Sequence, residues 1–284
     1  MIDLHTHSKI SDGSLNPSTI ISCAKEEGLS VLALTDHDSV DGIPEAASAA
    51  EKANIVFVPG TELNIEWNTG EFHLLGLGLK EIDKSLENIL ADLMEGRISR
   101  NKIMIEKMRD DGFDVSYSEL CETVGNSYIG RPHFAEYFVK KGFVKNRQQA
   151  FDKFLAHGRP YYEKRTGCNL DDAISAIFAS GGVPVLAHPL SLYVSWGKME
   201  GVLQDLYARG VRGIEAFHPG ARVGECLRLE ELGRKLGFFI TAGSDFHGKD
   251  VRKDRRLGYT CGNRKIEDRF WYEELLPFLD KNTV

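Results

Sequence analysis

The chain predicts an α/β protein whose mostly parallel sheet is of barrel type and carries one helical insertion. Short β-rich runs alternate with segments of helical periodicity, and most of these runs stop at a histidine or an acid. Between about Ser85 and Arg165 that alternation ceases, and only helical patterns follow one another.

In chain order the β-rich runs are Ile2 to Leu4, Val31 to Leu34, Ile55 to Val58, Phe72 to Leu77, Val183 to Ala187, Gly213 to Phe217 and Phe238 to Thr241. All are short and apolar, as buried strands are. Pro17 to Glu27 and Asp41 to Ala53 lie between the first three runs, with apolar residues at helical spacing. Start signals agree: Asn16-Pro17 before the first helix, Asp41-Gly42-Ile43-Pro44 before the second, and Asn169 with Asp172 at the head of Asp171 to Ser180. Gly28 and Gly181 suit the corresponding helix ends.

The strand-free block contains helical patterns at Leu86 to Asp110, Tyr117 to Val124, Pro132 to Lys141 and Gln148 to Leu155. Connections of that length rarely stay structureless, so the block predicts an insertion lying over the site as a cap. The expected division is residues 1–84 and 166–284 for the barrel, and 85–165 for the insertion.

A length of 284 residues fits one barrel with an insertion. The formal net charge of -7 opposes sequence-independent attraction to a phosphate backbone, which argues against a long duplex as ligand. It leaves a small phosphorylated substrate open, because bound divalent cations invert the local field. Five scattered cysteines without a C-x-x-C pair disfavour a disulfide framework and a thiolate zinc site. The chain starts without a basic then apolar leader, and no run approaches the roughly 20 apolar residues that span a bilayer. The expectation is a cytoplasmic protein without membrane contact.

His5 and His7 lie two apart after an extended run, so in a strand both point to one side and can share an ion. An isolated H-x-H also occurs on surface strands; here Asp3 precedes it and Asp12 follows. His37 falls at the end of Val31 to Leu34, where the alternative is a capping loop formed by Asp36 or Asp38. Glu62 follows the next run, and a carboxylate there can bridge two ions. His73 begins a run, while His188 and His218 end theirs, each followed by Pro; core packing is the alternative for each. Asp245 and His247 close the series.

The motifs D-L-H-T-H-S at Asp3 to Ser8, L-T-D-H-D at Leu34 to Asp38, A-H-P at Ala187 to Pro189 and G-S-D-F-H at Gly243 to His247 resemble, in order, the four signatures of the polymerase and histidinol phosphatase (PHP) superfamily. G-R-P-H at Gly130 to His133 and E-A-F-H-P at Glu215 to Pro219 resemble members with a helical insertion that act as 3′,5′-nucleoside bisphosphate phosphatases and short-RNA 5′ exonucleases. The resemblance implies a distorted seven-stranded βα barrel with three divalent metal ions. It assigns His5, His7, Glu62 and Asp245 to the first ion, Asp12, His37 and His247 to the second, and Glu62, His73 and His188 to the third. Asp12 stands where relatives place a histidine, which leaves metal preference open.

Imidazole and carboxylate donors without thiolate suit manganese, iron or zinc. A multinuclear site of this kind clamps the entering and departing oxygens of in-line attack on phosphorus. Arg131 and His133, at a helix start, are expected to grip phosphate, the alternative being a surface arginine. Arg159, with Tyr161 and Tyr162, offers a cation beside rings on which a base can stack, or simple packing. His218, outside the carried-over set, is the candidate for substrate contact or general acid, and Asp36 competes for that role or supports a ligand histidine. His157 receives no chemistry. The reading is a phosphatase removing the 3′-phosphate of nucleoside 3′,5′-bisphosphates and trimming short RNA. The alternatives are another phosphate ester (histidinol phosphate, a sugar phosphate or a cyclic phosphate) and a non-catalytic scaffold or nucleotide sensor.

Overall fold

A computed structural model describes residues 1–126 and 128–281. Seven strands form one sheet in sequential order: β1 (Ile2–Asp3), β2 (Val31–Leu34), β3 (Val56–Ile65), β4 (Phe72–Leu77), β5 (Val183–Leu186), β6 (Gly213–Phe217) and β7 (Phe239–Ala242). The last strand meets the first through a parallel bridge between Thr6 and Phe246, where His7 N donates to Phe246 O at 2.9 Å. Buried Asp3 braces this seam, accepting from the backbone N–H groups of Ser244 and Gly258 at 2.9 and 2.8 Å. Its desolvation still pushes the carboxyl up to about 6.

The sheet corrects the sequence reading in two places. β4 runs antiparallel to both β3 and β5, whereas the other pairs are parallel. A run of apolar residues carries no direction, so periodicity could not show the reversal. β3 also continues past Pro59-Gly60, which read as its end. Its first half pairs with β2 and its second half with β4, so the change of partner falls where Pro59 lacks an N–H. A Cβ on Gly60 would stand 2.8 Å from Gly76 O, so glycine is required for the close approach of β4.

Helices α1 (Pro17–Glu27) and α2 (Ile43–Ala53) follow the first two strands. Gly28 ends α1 at φ 79°, the left-handed position that glycine adopts freely. After β4 the chain enters α3 (Lys84–Asp110), then α4 (Tyr117–Val124), α5 (Arg131–Lys140) and the short α6 (Arg147–Ala150), which runs on into a π-helical turn at Phe151–Leu155. These helices bury a core of their own around Met104, Phe134, Phe138 and Tyr161. The barrel resumes with α7 (Leu170–Ala179), capped by Asn169, whose side chain accepts from the N–H groups of Asp171 and Asp172. Helices α8 (Trp196–Arg209) and α9 (Val223–Leu236) complete the alternation around one large apolar core.

Candidate metal centre and active site

Parallel strands deliver their carboxyl ends to one mouth, and β4, being reversed, delivers its start. His73 therefore reaches the same mouth as His5, His7, His37, His188 and His247. Nine residues bring ligand atoms together there in overlapping groups: His7, Asp12, His37 and His247; His5, His7 and Asp245; His5, Glu62 and His188; His37, Glu62 and His73. They are the nine that the resemblance assigns to metal, and atoms within each group lie no more than 4.8 Å apart.

Glu62 is the hub. Its Oε2 stands 3.4, 3.2 and 3.0 Å from nitrogens of His5, His7 and His37, and its Oε1 stands 2.9 and 3.0 Å from those of His73 and His188. Burial opposes its charge, but His37, His5 and His73 outweigh that and hold its carboxyl well below the usual range. The converging atoms satisfy one another only in part: Glu62 Oε1 has His73 and His188, but Glu62 Oε2, Asp12 Oδ1 and His37 Nδ1 are buried without a hydrogen bond. His5 Nε2 and His7 Nε2 face each other at 3.0 Å. Lone pairs aimed at shared space rather than at donors are what divalent cations require, so the residues fit the ions that the donor chemistry implies.

The far sides of the rings are fixed. His5 Nδ1 lies 3.0 Å from Glu215 Oε1, His188 Nδ1 2.8 Å from Ser191 Oγ, and His247 Nδ1 2.9 Å from Asp245 O, leaving each Nε2 turned inward. Glu215 Oε2 also accepts from the backbone N–H of His188. Backbone strain gathers at the same mouth: Asp38, His188 and Asp245 have positive φ of 50, 26 and 52°.

A cavity of about 640 Å³ opens over the cluster, lined on the insertion side by Arg131, Pro132, Phe151 and Arg165, and elsewhere by Glu71, His218, Arg252 and Arg255. Arg131 lies in it, 2.9 Å from Glu71 and with its guanidinium 5.2 Å from the Tyr162 ring. His218 lies in it too, with Nε2 3.2 Å from Asp245 Oδ2 and Nδ1 accepting from Gly220 N at 3.0 Å. Desolvation lowers its pKa, so the ring is neutral with its proton on Nε2.

Four sequence expectations are placed elsewhere. Asp36 supports no ligand histidine. Its oxygens accept from Ser8 N, Ser8 Oγ and Ser11 Oγ at 2.7, 2.6 and 2.6 Å, bracing the loop that carries Asp12. His133 lines a separate, smaller cleft behind Asp12 and accepts from Gly130 N at 2.9 Å, a helix-start contact that draws its ring away from the main cavity. Arg159 is exposed, outside both cavities, because the turn at Gly158 points it to solvent. Tyr161 is core, its hydroxyl donating to Asp111 at 2.7 Å, so it is not a stacking surface.

Sequence reasoning gave no role to Glu215, Arg165, Arg252 or Arg255. For Glu215 a signal existed, an acid in the middle of an otherwise apolar run; the arginines lie in irregular segments that periodicity does not read.

The chain matches the PHP domain family over residues 3–156. It is 33% identical over 266 residues to a 3′,5′-nucleoside bisphosphate phosphatase of Chromobacterium violaceum, covering 92% of this chain and 93% of that one. It is 32% identical to a 5′-3′ exoribonuclease of Haemophilus influenzae, covering 86% and 89%. A solved Chromobacterium violaceum structure, described as an amidohydrolase with bound sulfate, superposes with a TM-score of 0.86 at 30% identity, covering 99% and 96%. Fold and site together define a metal-dependent phosphoesterase. The chain belongs to the PHP domain family.

Proposed function

We propose that the protein removes the 3′-phosphate from nucleoside 3′,5′-bisphosphates, and that short RNA taken from the 5′ end is its second class of substrate. The observation that carries this is a roomy cavity with ligand-type side chains on its floor and, on its insertion-side wall, the Arg131 guanidinium, a group that can grip a second phosphate. The similarity to a bisphosphate phosphatase and an exoribonuclease over most of the chain supports the same reading.

On this reading three ions would be held, the first by His5, His7, Glu62 and Asp245, the second by Asp12, His37 and His247, and the third by Glu62, His73 and His188. The division of Glu62, with one oxygen among His5, His7 and His37 and the other between His73 and His188, supports a bridging role. Bound ions of this type supply Lewis acidity and water that is nucleophilic near neutral pH. Glu215 and Ser191 orient the rings of His5 and His188. Arg131 binds the non-scissile phosphate, and neutral His218 holds its Nε2–H beside Asp245, where it can donate a hydrogen bond to the departing oxygen. Asp36 acts on the loop of Asp12 rather than on substrate.

Manganese-loaded protein is expected to release phosphate from adenosine 3′,5′-bisphosphate, and Glu62→Ala to lose bound metal and turnover together. Cleavage of histidinol phosphate, sugar phosphates or cyclic phosphates without cleavage of the bisphosphate would sink the substrate assignment.

A further inference from the structure

Arg255 stands in the irregular segment after β7, and its side chain is only 5% exposed. It lines the main cavity, yet its Nε is buried without a hydrogen-bond acceptor. The two carboxylates nearest to it are loose partners. Asp245 Oδ2 is 4.0 Å away and already receives His218 and Arg252 at 3.2 and 3.0 Å, while Asp254 is 3.7 Å away and largely solvated. A buried guanidinium without a close acceptor is costly, so its retention at a cavity wall needs a partner that enters the cavity.

Arg97 shows the contrast. It is equally buried and its Nε and Nη1 also lack an acceptor, but its Nη2 pairs closely with Asp38, the Tyr128 ring lies 4.0 Å from its guanidinium, and it does not line the cavity, so the contrast lies in the close carboxylate that Arg97 has and Arg255 lacks. Gly220 completes the arrangement around Arg255. A Cβ there would come within 2.9 Å of His218 Nδ1 and 3.4 Å of Arg255 Nη2, so glycine lets guanidinium and imidazole lie side by side.

We propose that Arg255, assisted by Arg252, is the anchor for the phosphoryl group under attack. It donates to the non-bridging oxygens across from the carboxylate and imidazole cluster, as their charge grows toward the transition state. The position fits this group better than a remote phosphate, because both arginines flank Asp245, a member of the cluster. The inference rests on phosphoester hydrolysis at this site and not on the identity of the nucleotide.

The test compares wild type, Arg255→Gln, Arg255→Lys and Arg252→Gln, all loaded with manganese. It measures hydrolysis of adenosine 3′,5′-bisphosphate and of 4-nitrophenyl phosphate, the dissociation constant of inorganic phosphate, and metal content. Arg255→Gln is expected to lower kcat about 100-fold or more on whichever ester the wild type cleaves, by a similar factor on each. Its phosphate affinity is expected to fall about tenfold or more with metal content retained, and lysine to recover part of both losses. Arg252, 41% exposed, is expected to give a smaller loss and carries the test if Arg255→Gln does not fold. Phosphate affinity within threefold of wild type, loss of metal in step with phosphate, or a wild type that binds no phosphate would each overturn the assignment. Turnover of 4-nitrophenyl phosphate without turnover of the bisphosphate would instead remove the nucleotide reading and leave Arg255 in place.

Discussion

Glu215 Oε1 lies 3.0 Å from His5 Nδ1, while the other oxygen of the same carboxylate accepts the backbone N–H of His188 at 2.8 Å. One acid on β6 thus sets the ring of a residue after β1 and the main chain of a residue after β5. Glu215→Gln keeps the shape but places an amide N–H₂ against one of those two donors. The expected result is a 10- to 100-fold weaker grip on metal, in the range typical of residues that orient ligands. Retention of manganese during dialysis against a graded chelator measures it, and unchanged retention would show that Glu215 only packs.

Arg131→Ala is expected to raise the Michaelis constant for a nucleoside bisphosphate about tenfold or more, from lost charge-assisted hydrogen bonds, with a smaller change in kcat. Steady-state kinetics separates the two. A Michaelis constant equal to that of wild type would place the substrate away from the insertion.

Metal uptake should release protons. In the ion-free cluster desolvation acts against the charged imidazoles, yet Asp245 and Glu62 raise His7 to about 9, and Glu215 and Glu62 raise His5. The pair therefore holds at least one proton at pH 7 that an ion must displace from a ligating nitrogen, since only one of the two facing Nε2 atoms can be the donor. The sign follows: apparent affinity strengthens as pH rises from about 6.5 toward 9, and weakens on acidification. Titration calorimetry in two buffers of different ionisation heat counts the protons, and a count of zero at pH 7 would contradict the charge balance described for Glu62 and its histidines.

Arg97→Met should destabilise the fold by about 3 to 5 kcal/mol, because it strands the buried carboxylate of Asp38. Thermal unfolding of the metal-loaded protein reads this directly. A melting temperature within a degree of wild type would mean that Arg165 or water takes over the charge.

Much of the site was legible because its chemistry is local in sequence. His5 and His7, or Asp245 and His247, announce themselves two apart at the end of an apolar run, and the seven runs are where the strands are. What stayed hidden depends on direction and on long-range contact. His73 begins its run where the other histidines end theirs, and only the reversal of β4 explains why it reaches the same mouth. Glu215 could not be told from a packing defect without knowing that it reaches across the barrel to His5. Residues of the insertion were hardest to place, since Tyr161 stands in a turn beyond the last helical pattern, and nothing local shows whether its ring meets substrate or the Phe138 and Phe154 rings stacked against it.

The reversal of β4 also decides how the insertion is mounted. Because β4 starts at the mouth, it ends at the opposite floor of the barrel, and the chain must climb back before it can overlie the histidine and carboxylate cluster. The 27 residues of α3 span about 40 Å and make that climb as one uninterrupted rod, pinned partway by Arg97 to Asp38. The insertion is therefore carried like a canopy on one long pole, stayed at the rim by Asn126 on Lys9 and Ser11 and by Arg131 on Glu71, and the rotational phase of that pole helps to set which of its side chains hang over the mouth. Shortening α3 by one residue would turn everything beyond the cut by about 100°, whereas removing a full turn would chiefly lower the canopy.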